Sequence, residues 1–362
     1  MEGLPTNLLA LTPEALQTHV VALGGRPFHA RIAREAVLQK GVLDYGSMTS
    51  LPAALRARLG PELPIFSGRE AERVHAPDQT TKLLIAFPST AAAGDGPGAE
   101  AIVETVHMPS LSTNDDDLPE ELRKGATLCV STQVGCPVAC PFCASGKLGL
   151  VRNLKAHEIL EQFVRGRALG KLSRAVVMGI GEPLLNYAEL AKALDVVHDE
   201  LGLGARKITV STVGFPDRLR RLAPEKPRFQ LAISLHSPFD QERAVLIPAM
   251  KDVPVDDVLA AGDHWFATTG REVTYEYVLL GGDNDTPGHA QALAERLVRR
   301  RCTVNLIPFN PVDDSDYARP SKPAVERFRK TLDDAGVVAT VRWSRGVDTD
   351  AACGQLRARR LG

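Results

Sequence analysis

The chain has 362 residues with a net charge of −1, and 44% of them are hydrophobic, as in an ordinary globular protein that buries a sizeable core. No apolar run is long enough to span a bilayer, and residues 1–16 lack the basic start and the apolar stretch of a secretory signal. The composition therefore argues against a membrane protein and predicts a cytoplasmic one. We expect a monomer, since no long apolar surface pattern argues for a larger assembly.

Lysine and arginine are unevenly distributed along the chain. Residues 147–174 hold seven of them against two glutamates, and further clusters lie at 218–221, 299–301 and 357–360. Such clusters either neutralise phosphates or form ordinary solvated helix faces. The sequence alone leaves both interpretations open.

Residues 1–64 predict a small helical N-terminal domain. Thr12 followed by Pro13 is a typical helix N-cap with proline in the first turn, and Gly24 ends that helix. A second helix is predicted over 27–41, and a third follows Pro52.

Residues 65–125 predict a strand extension with two connectors. Strand-like stretches cover 81–88 and 101–108, and they can pair as a hairpin. The segment between them, 89–98, is rich in glycine and alanine, and 109–124 is a polar connector.

From residue 126 onward, short β-branched runs alternate with helical patterns. Strands are predicted at 126–131, 175–180, 207–211, 230–234, 272–280 and 302–307. Helices are predicted at 156–169, 187–201, 255–268, 286–301 and 321–335. Six such repeats predict an α/β fold, a partial or complete (β/α)6 barrel over 126–345, with its reactive residues in the loops after the strands.

Three of the six cysteines follow the first barrel strand directly, as Cys136-Pro-Val-Ala-Cys140-Pro-Phe-Cys143. Three thiolates on one short loop can hold three irons of a 4Fe-4S cubane and leave the fourth iron open to a small ligand. A structural zinc site is the alternative, but it normally closes with four ligands. His157 or Cys129 would then have to supply the fourth.

A C-x3-C-x2-C motif after the first strand of a βα barrel resembles the radical S-adenosylmethionine (SAM) superfamily. In that superfamily the open iron binds SAM, and one-electron reduction yields a 5′-deoxyadenosyl radical. The string Gly179-Ile-Gly181-Glu182-Pro, after the second barrel strand, resembles its SAM-binding loop. Glycines that end a strand are otherwise often just a turn.

A narrower resemblance covers nearly the whole chain. It is carried by the strings 126–136 (ATLCVSTQVGC), 149–154 (GLVRNL), 304–310 (VNLIPFN) and 350–356 (DAACGQL), together with the N-terminal helices. These strings resemble the dual-specificity 23S rRNA/tRNA methyltransferases that act on carbon-2 of adenine. The chain departs from the family pattern at Trp343, Val347 and Thr349, and its 109–124 connector is longer than usual.

The resemblance implies a reaction that uses two further cysteines. Cys353, in a C-terminal segment over 346–362, accepts a methyl group from one SAM. The radical derived from a second SAM activates that methyl group, which adds to adenine, and Cys129 then resolves the adduct by forming a disulfide with Cys353. Glu104 matches the family's candidate base. Without the resemblance, Cys129 reads as a small apolar strand residue, Cys353 as an incidental thiol and Glu104 as a solvent-facing strand residue.

The resemblance also implies the residues that contact SAM. They stand at predicted strand ends, where serine and asparagine are common in turns for other reasons. They are Gly181, Glu182, Ser211, Ser234, Leu235, His236 and Asn310. Cys302 matches no family motif, and we expect it in the core.

The expected partners are 23S rRNA and tRNA, held in part by the N-terminal helices, and a flavodoxin-type electron donor. The nearest alternative function is methylation at carbon-8 of adenine, which uses the same cysteines. A non-enzymatic RNA-binding protein with a structural metal is an alternative from another class. A glycyl-radical activase is a third, but it leaves Cys129 and Cys353 unexplained.

Overall fold

The computed structural model describes residues 6–88, 100–110, 125–312, 315–346, 349–357 and 359–361, the last of these by backbone only. The predicted loop at 89–98, most of the 109–124 connector and Val347 lie outside the described residues. In the part of the chain that is described, no helix combines the length and the apolar character needed to cross a membrane.

The three predicted N-terminal helices are confirmed. They are α1 (Pro13–Ala22), α2 (Pro27–Leu38) and α3 (Ala53–Glu62), preceded by a 3-10 turn at Leu8–Ala10. The Thr12 hydroxyl accepts a hydrogen bond from the backbone N–H of Ala15 at 3.2 Å, as its N-cap position predicts.

One large sheet forms the centre of the molecule, beside a two-stranded hairpin. The strands before the barrel are β1 (Arg69–His75), β2 (Thr81–Pro88) and β3 (Glu100–Met108). The barrel region holds β4 (Ala126–Cys129), β5 (Gln133–Gly135), β6 (Leu150–Asn153), β7 (Leu172–Val177), β8 (Ile208–Thr212), β9 (Gln230–Ser234), β10 (Val273–Leu279), β11 (Cys302–Pro308) and β12 (Ala339–Val341). A short C-terminal strand, β13 (Arg359–Leu361), completes the set.

The described sheet has the order β1-β2-β3-β4-β7-β8-β9-β10-β11-β12. In this sheet β4 and β7 to β12 run parallel, whereas β1, β2 and β3 extend the sheet antiparallel beyond β4, and β13 pairs with β3. Because this sheet runs from β1 to β12 without closing, the barrel is partial. Strands β5 and β6 form a separate hairpin.

Helices follow the parallel strands. They are α4 (Ala156–Ala168), α5 (Tyr187–Asp199), α6 (Pro216–Leu222), α7 (Asp240–Leu246), α8 (Val255–Thr269), α9 (Pro287–Leu297) and α10 (Lys322–Asp334). The five helices predicted for this region are present, and α6 and α7, with seven residues each, were not predicted. Strand β7 ends at Val177 rather than at 180, since the glycine loop begins there.

Charged side chains attach the N-terminal helices to the barrel. Arg34 of α2 forms a two-pronged pair with Glu200, with nitrogen–oxygen distances of 2.5 and 2.7 Å. The buried Glu161 of α4 accepts the backbone N–H groups of Ser67 and Gly68 at 2.9 and 3.1 Å. Arg167 donates to the carbonyl of residue 39.

Part of the basic cluster at 147–174 is therefore structural. Arg152 pairs with Glu158 at 2.7 Å, and Arg165 pairs with Glu161 at 2.8 Å, both nearly out of solvent. Arginines that are held in this way contribute to packing between layers rather than to a phosphate-binding face.

Candidate active site

The three motif cysteines lie on the loop between β5 and β6. This loop is closed at its base by Gly135, at φ +74°, where an added Cβ would lie 1.8 Å from the carbonyl oxygen of Gly149. Only glycine permits so close an approach. Cys136, Cys140 and Cys143 all line one cleft at the carboxyl ends of the barrel strands, which we call the main cleft.

The donor set fits an iron–sulfur cluster better than zinc. Burial, followed by the neighbouring cysteines and Glu182, raises the pKa of Cys140, and burial raises that of Cys136 to about 12, so a metal is needed to hold these sulfurs as thiolates. Among the described residues, no three His, Cys, Asp or Glu side chains are grouped as ligands of a single ion. A cubane does not require such a group, because each thiolate binds a different iron. His157 and Cys129, the predicted fourth zinc ligands, do not line the main cleft.

The main cleft encloses about 980 Å³ of empty space when the open solvent at its mouth is included. Its walls include six of the seven residues predicted to contact SAM, which are Gly181, Glu182, Ser211, Ser234, His236 and Asn310. The seventh, Leu235, has a fully buried side chain that does not line the cleft. Its carbonyl accepts a hydrogen bond from Arg243 Nε at 3.2 Å, so it fixes the loop that carries its neighbours.

Glu182 joins the ends of β7 and β8. Its carboxylate accepts hydrogen bonds from the Thr212 hydroxyl at 2.6 Å and from the backbone N–H groups of Val213 and Leu184, both at 2.9 Å. Burial raises the pKa of Glu182, although these three donors act in the opposite direction. A carboxylate has about four acceptor positions, so one remains for a donor in the cleft.

Two cleft residues have left-handed backbone conformations. Gly181 has φ +110°, and an added Cβ would lie 2.7 Å from Cβ of Gln133. His236 has φ +63°, and its Nδ1 accepts the backbone N–H of Val278 at 3.1 Å. Burial, followed by Arg243, lowers the pKa of His236 to about 3. The neutral ring therefore carries its proton on Nε2, where it can serve as a donor.

The segment 350–357, which carries Cys353, is held across one side of the main cleft. The Asn310 amide donates to the carbonyl of Cys353 at 3.0 Å, and Gln355 Nε2 donates to the carbonyl of Pro311 at 2.9 Å. Ala144 and Ser145, next to the cluster cysteines, donate to the carbonyls of residues 354 and 356 at 2.8 and 2.7 Å. Asn310 thus positions Cys353 as well as lining the cleft.

A second cavity adjoins the main cleft and is lined by both Cys129 and Cys353, the two cysteines predicted to react. This Cys129 cavity is lined by Met108, Cys129, Met178, Arg342, Trp343 and Cys353, among others. Met178, Cys353 and Leu356 line both cavities, so they form the wall between them. Burial raises the pKa of Cys129 to about 12 and that of Cys353 to about 11, and Arg342 acts to lower both.

Glu104 lies behind the Cys353 segment rather than on either cavity wall. Its side chain is 1% exposed and forms an ion pair with Lys82, itself 4% exposed, at 3.6 Å. The Glu104 carboxylate accepts the backbone N–H of Arg357 at 3.1 Å, and Lys82 donates to the carbonyl of Asp350 at 3.1 Å. The pair therefore fastens both ends of segment 350–357.

Sequence reasoning missed Lys82, Arg342 and Glu276. Lys82 had a signal, a lone lysine in an otherwise apolar strand. Glu276 of β10 lines the main cleft and accepts a hydrogen bond from Asn305 at 2.7 Å, and burial raises its pKa to about 7. Arg342 follows a three-residue strand that was not predicted. Cys302 is half-buried and lines neither described cavity.

Comparison with known proteins finds two family models that match this chain. The radical SAM superfamily matches residues 130–293, and the ribosomal RNA large subunit methyltransferase N-terminal domain matches residues 6–65. The chain is 39% identical to the probable dual-specificity RNA methyltransferase RlmN of Synechocystis sp., over 98% of this chain and 96% of that one. It is 42% identical to the protein of the same name from Synechococcus sp. (strain CC9311), over 98% of each chain.

The fold is also that of a solved relative. A crystal structure of a radical SAM methyltransferase from Sphaerobacter thermophilus superposes with a TM-score of 0.85 at 38% identity, covering 98% of this chain and 99% of that one. Identity at this level over nearly the full length decides the family. The chain belongs to the dual-specificity RNA methyltransferase family within the radical SAM superfamily.

Proposed function

We propose that this protein methylates carbon-2 of adenine in 23S rRNA and in tRNA, through a methylated Cys353 and a transient Cys129–Cys353 disulfide. The observation that carries the proposal is the position of Cys353 in the wall between the main cleft and the Cys129 cavity. A sulfur in that wall can take a methyl group from SAM on one side and meet the attacking Cys129 on the other. The names of the relatives support RNA as the substrate.

The cofactors follow from the family and the donor set. Cys136, Cys140 and Cys143 would hold a 4Fe-4S cluster, which supplies the single electron that cleaves SAM to an adenosyl radical. The remaining acceptor position of Glu182 suits the SAM ammonium group, and Nε2 of His236 offers a donor. Ser211, Ser234 and Gly181 would complete the contacts to SAM.

The reactive cysteines then act in sequence, and each turnover consumes two SAM molecules. The Cys353 thiolate takes the methyl group of the first SAM, and S-adenosylhomocysteine leaves. The methyl carbon gives a hydrogen atom to the adenosyl radical, which becomes 5′-deoxyadenosine, and then bonds to adenine. The adduct returns one electron to the one-electron carrier that had cleaved SAM, and the carbon-2 proton passes to a base. The Cys129 thiolate attacks the Cys353 sulfur, the carbon–sulfur bond breaks, and its electron pair takes up a proton. A dithiol must reduce the disulfide before the next turnover.

Glu104 is proposed as the base that removes the carbon-2 proton. In the described conformation its carboxylate is engaged by Arg357 and Lys82, so this role requires the end of segment 350–357 to move when RNA binds. Hydrogen bonds at catalytic groups are often formed correctly only in the complex with substrate.

The remaining parts of the proposal concern organisation. We propose a helical RNA-contacting domain over 1–64, a strand extension over 65–125, the barrel over 126–345 and the methyl-accepting segment over 346–362. The N-terminal family match at residues 6–65 supports the first boundary. We further propose a cytoplasmic monomer that receives electrons from a flavodoxin-type protein.

The test is anaerobic incubation of the cluster-loaded protein with SAM, a reductant, and 23S rRNA or bulk tRNA from a strain that lacks the modification. Mass spectrometry of the digested RNA should show 2-methyladenosine. Cys353→Ala should abolish it, and Cys129→Ala should accumulate a covalent protein–RNA adduct. The matched control is Cys302→Ala, a half-buried cysteine that lines neither cavity. An 8-methyladenosine product would establish the carbon-8 alternative, and unmodified RNA would refute the methyltransferase proposal.

A further inference from the structure

Arg243 of α7 is a buried cation behind the wall of the main cleft. It is 1% exposed and does not itself line the cleft. Its Nη2 donates to the carbonyls of Val213 and Ser234 at 2.7 and 3.2 Å, and its Nε donates to that of Leu235. The side chain therefore ties together the ends of β8 and β9, where several of the predicted SAM contacts lie.

These contacts do not neutralise the charge of Arg243. Among the described residues, its guanidinium donates only to carbonyls, which have no net charge, and its buried Nη1 has no hydrogen-bond partner there. Asp240, at the start of α7, is exposed, and its Oδ1 accepts the backbone N–H of Val255 at 2.7 Å. A buried charge that lacks a counter-charge is strongly destabilising, so the position of Arg243 calls for a negative group beyond these side chains.

The cluster loop lies close to this charge. The ring of Phe142, two residues after Cys140, packs edge-on against the ring of His236 with 5.0 Å between their centroids, and His236 follows the carbonyls that Arg243 holds. Burial, then the neighbouring cysteines and Glu182, raise the pKa of Cys140, and Arg243 acts in the opposite direction. Burial lowers the pKa of Arg243 to about 10, so the guanidinium stays charged near neutral pH.

We propose that Arg243 is the buried counter-charge of the iron–sulfur cluster and that its positive charge raises the reduction potential of the cluster. A 4Fe-4S cluster on three thiolates has a net negative charge, which grows when the cluster takes up the electron that cleaves SAM. A nearby cation stabilises the more negative state more strongly, so reduction becomes easier. The inference rests on the cluster of the proposed function, and it adds a residue that tunes this cluster without touching SAM.

The test is a redox titration of the cluster-loaded protein without SAM or RNA, followed by the electron paramagnetic resonance signal of the reduced cluster. Arg243→Gln removes the charge and keeps an amide donor for the carbonyls. A unit charge at about 10 Å, acting through an effective dielectric constant of about 20, shifts such an equilibrium about tenfold. The ratio of reduced to oxidised cluster at a fixed potential should therefore fall about tenfold in Arg243→Gln, which lowers the midpoint potential by about 59 mV.

Two further variants separate the charge from the bracing of the carbonyls. Arg243→Lys keeps the positive charge but has no planar fork of donors, so its midpoint potential should stay near the wild-type value. The matched control is Arg271→Gln. Arg271 also donates to backbone carbonyls, those of residues 226, 227 and 229, but these precede β9, at the end of the barrel opposite the main cleft. The midpoint potential of this control should equal that of the wild type.

The outcomes separate this inference from the proposed function. A wild-type midpoint potential in Arg243→Gln overturns the inference and leaves the proposed function standing. An equal downward shift in Arg243→Lys and Arg243→Gln also overturns it, because bracing rather than charge would then be responsible. Should Arg243→Gln fail to hold a cluster, Arg243→Lys decides, since a charge role predicts a wild-type midpoint there and a bracing role predicts a shifted one. A wild-type protein that takes up no cluster overturns the cofactor of the proposed function, and the inference with it.

Discussion

Replacing the buried Lys82–Glu104 pair by apolar side chains should release the segment that carries Cys353. The double substitution Lys82→Met with Glu104→Leu keeps the side-chain volumes similar and removes both charges. Exchanging a whole buried ion pair for apolar residues is often neutral for global stability, whereas removing one partner alone is strongly destabilising. The double variant should therefore fold, and its defect should be local.

The size of the local effect follows from two hydrogen bonds. Lys82 holds the carbonyl of Asp350, and Glu104 holds the N–H of Arg357, both at 3.1 Å. A hydrogen bond to a charged group contributes about 1.5–3 kcal/mol, so the segment loses about 3–6 kcal/mol of resistance to local opening. At about 1.4 kcal/mol per factor of ten, its amide exchange should accelerate by at least about a hundredfold.

Hydrogen exchange followed by mass spectrometry measures this directly. Peptides that cover 350–357 should exchange faster, and those of α4 should not. The matched control removes an exposed ion pair on α10, Lys330 with Asp334, whose side chains are 70% and 62% exposed. An exposed pair of this kind contributes little to stability. If segment 350–357 exchanges at the wild-type rate in the double variant, the Lys82–Glu104 pair does not fasten the segment.

A single substitution separates fastening from proton transfer. Glu104→Gln has no basic carboxylate, but its amide oxygen can still accept from Arg357 and from Lys82, so Lys82 keeps a hydrogen-bond partner. If Glu104 is the base, this variant should still methylate Cys353 and then stall as a protein–RNA adduct. Full turnover in Glu104→Gln would leave Glu104 as a positioning residue only.

Three further predictions concern the cleft, the pH response and the core. Gly181→Ala should lower SAM affinity at least about tenfold in equilibrium dialysis, because its Cβ would meet Gln133, whereas Gly202→Ala, also at positive φ but with nothing within 4 Å of its Cβ, should not. Burial lowers the pKa of His107 from 6.5 to about 4, so the unfolded chain takes up this proton first and acidification through that window favours unfolding. His107→Gln should reduce the loss of unfolding free energy on acidification by up to about 3 kcal/mol, as measured by urea denaturation at matched pH values. An unchanged pH dependence would contradict this role of His107. Cys302→Ser should retain RNA methylation within about twofold but lower the denaturation midpoint, since partly burying a hydroxyl costs more than partly burying a thiol; full loss of activity would show that Cys302 takes part in the reaction.

The sequence predicted most barrel elements, and it placed the cysteine motif and the glycine loop after barrel strands as the structure does, because these signals are local. Three cysteines within eight residues, or a helix with a clear apolar face, can be recognised without knowing the fold. The seven-residue helices α6 and α7 and the three-residue strand β12 were missed, because segments this short show little periodicity. Strand β7 was placed three residues too late, because the apolar run continues into the glycine loop.

The geometry of the candidate site could not be read from the sequence in the same way. Cys129 and Cys353 line one cavity, but more than two hundred positions separate them in the chain. The fastening of Cys353 depends on Lys82 and Glu104, which come from the strand extension rather than from the barrel. Such pairings are fixed by sheet topology, and only the resemblance to a family indicated that these residues belong together.

The contacts of Ala144 and Ser145 with segment 350–357 have a consequence for how the enzyme matures. The segment covers the side of the cluster loop next to Cys143, and it docks only after barrel strands distant in sequence have paired. Contacts of such long range form late in folding. We therefore expect the docked segment to restrict the access of iron and sulfide to Cys143 from this side.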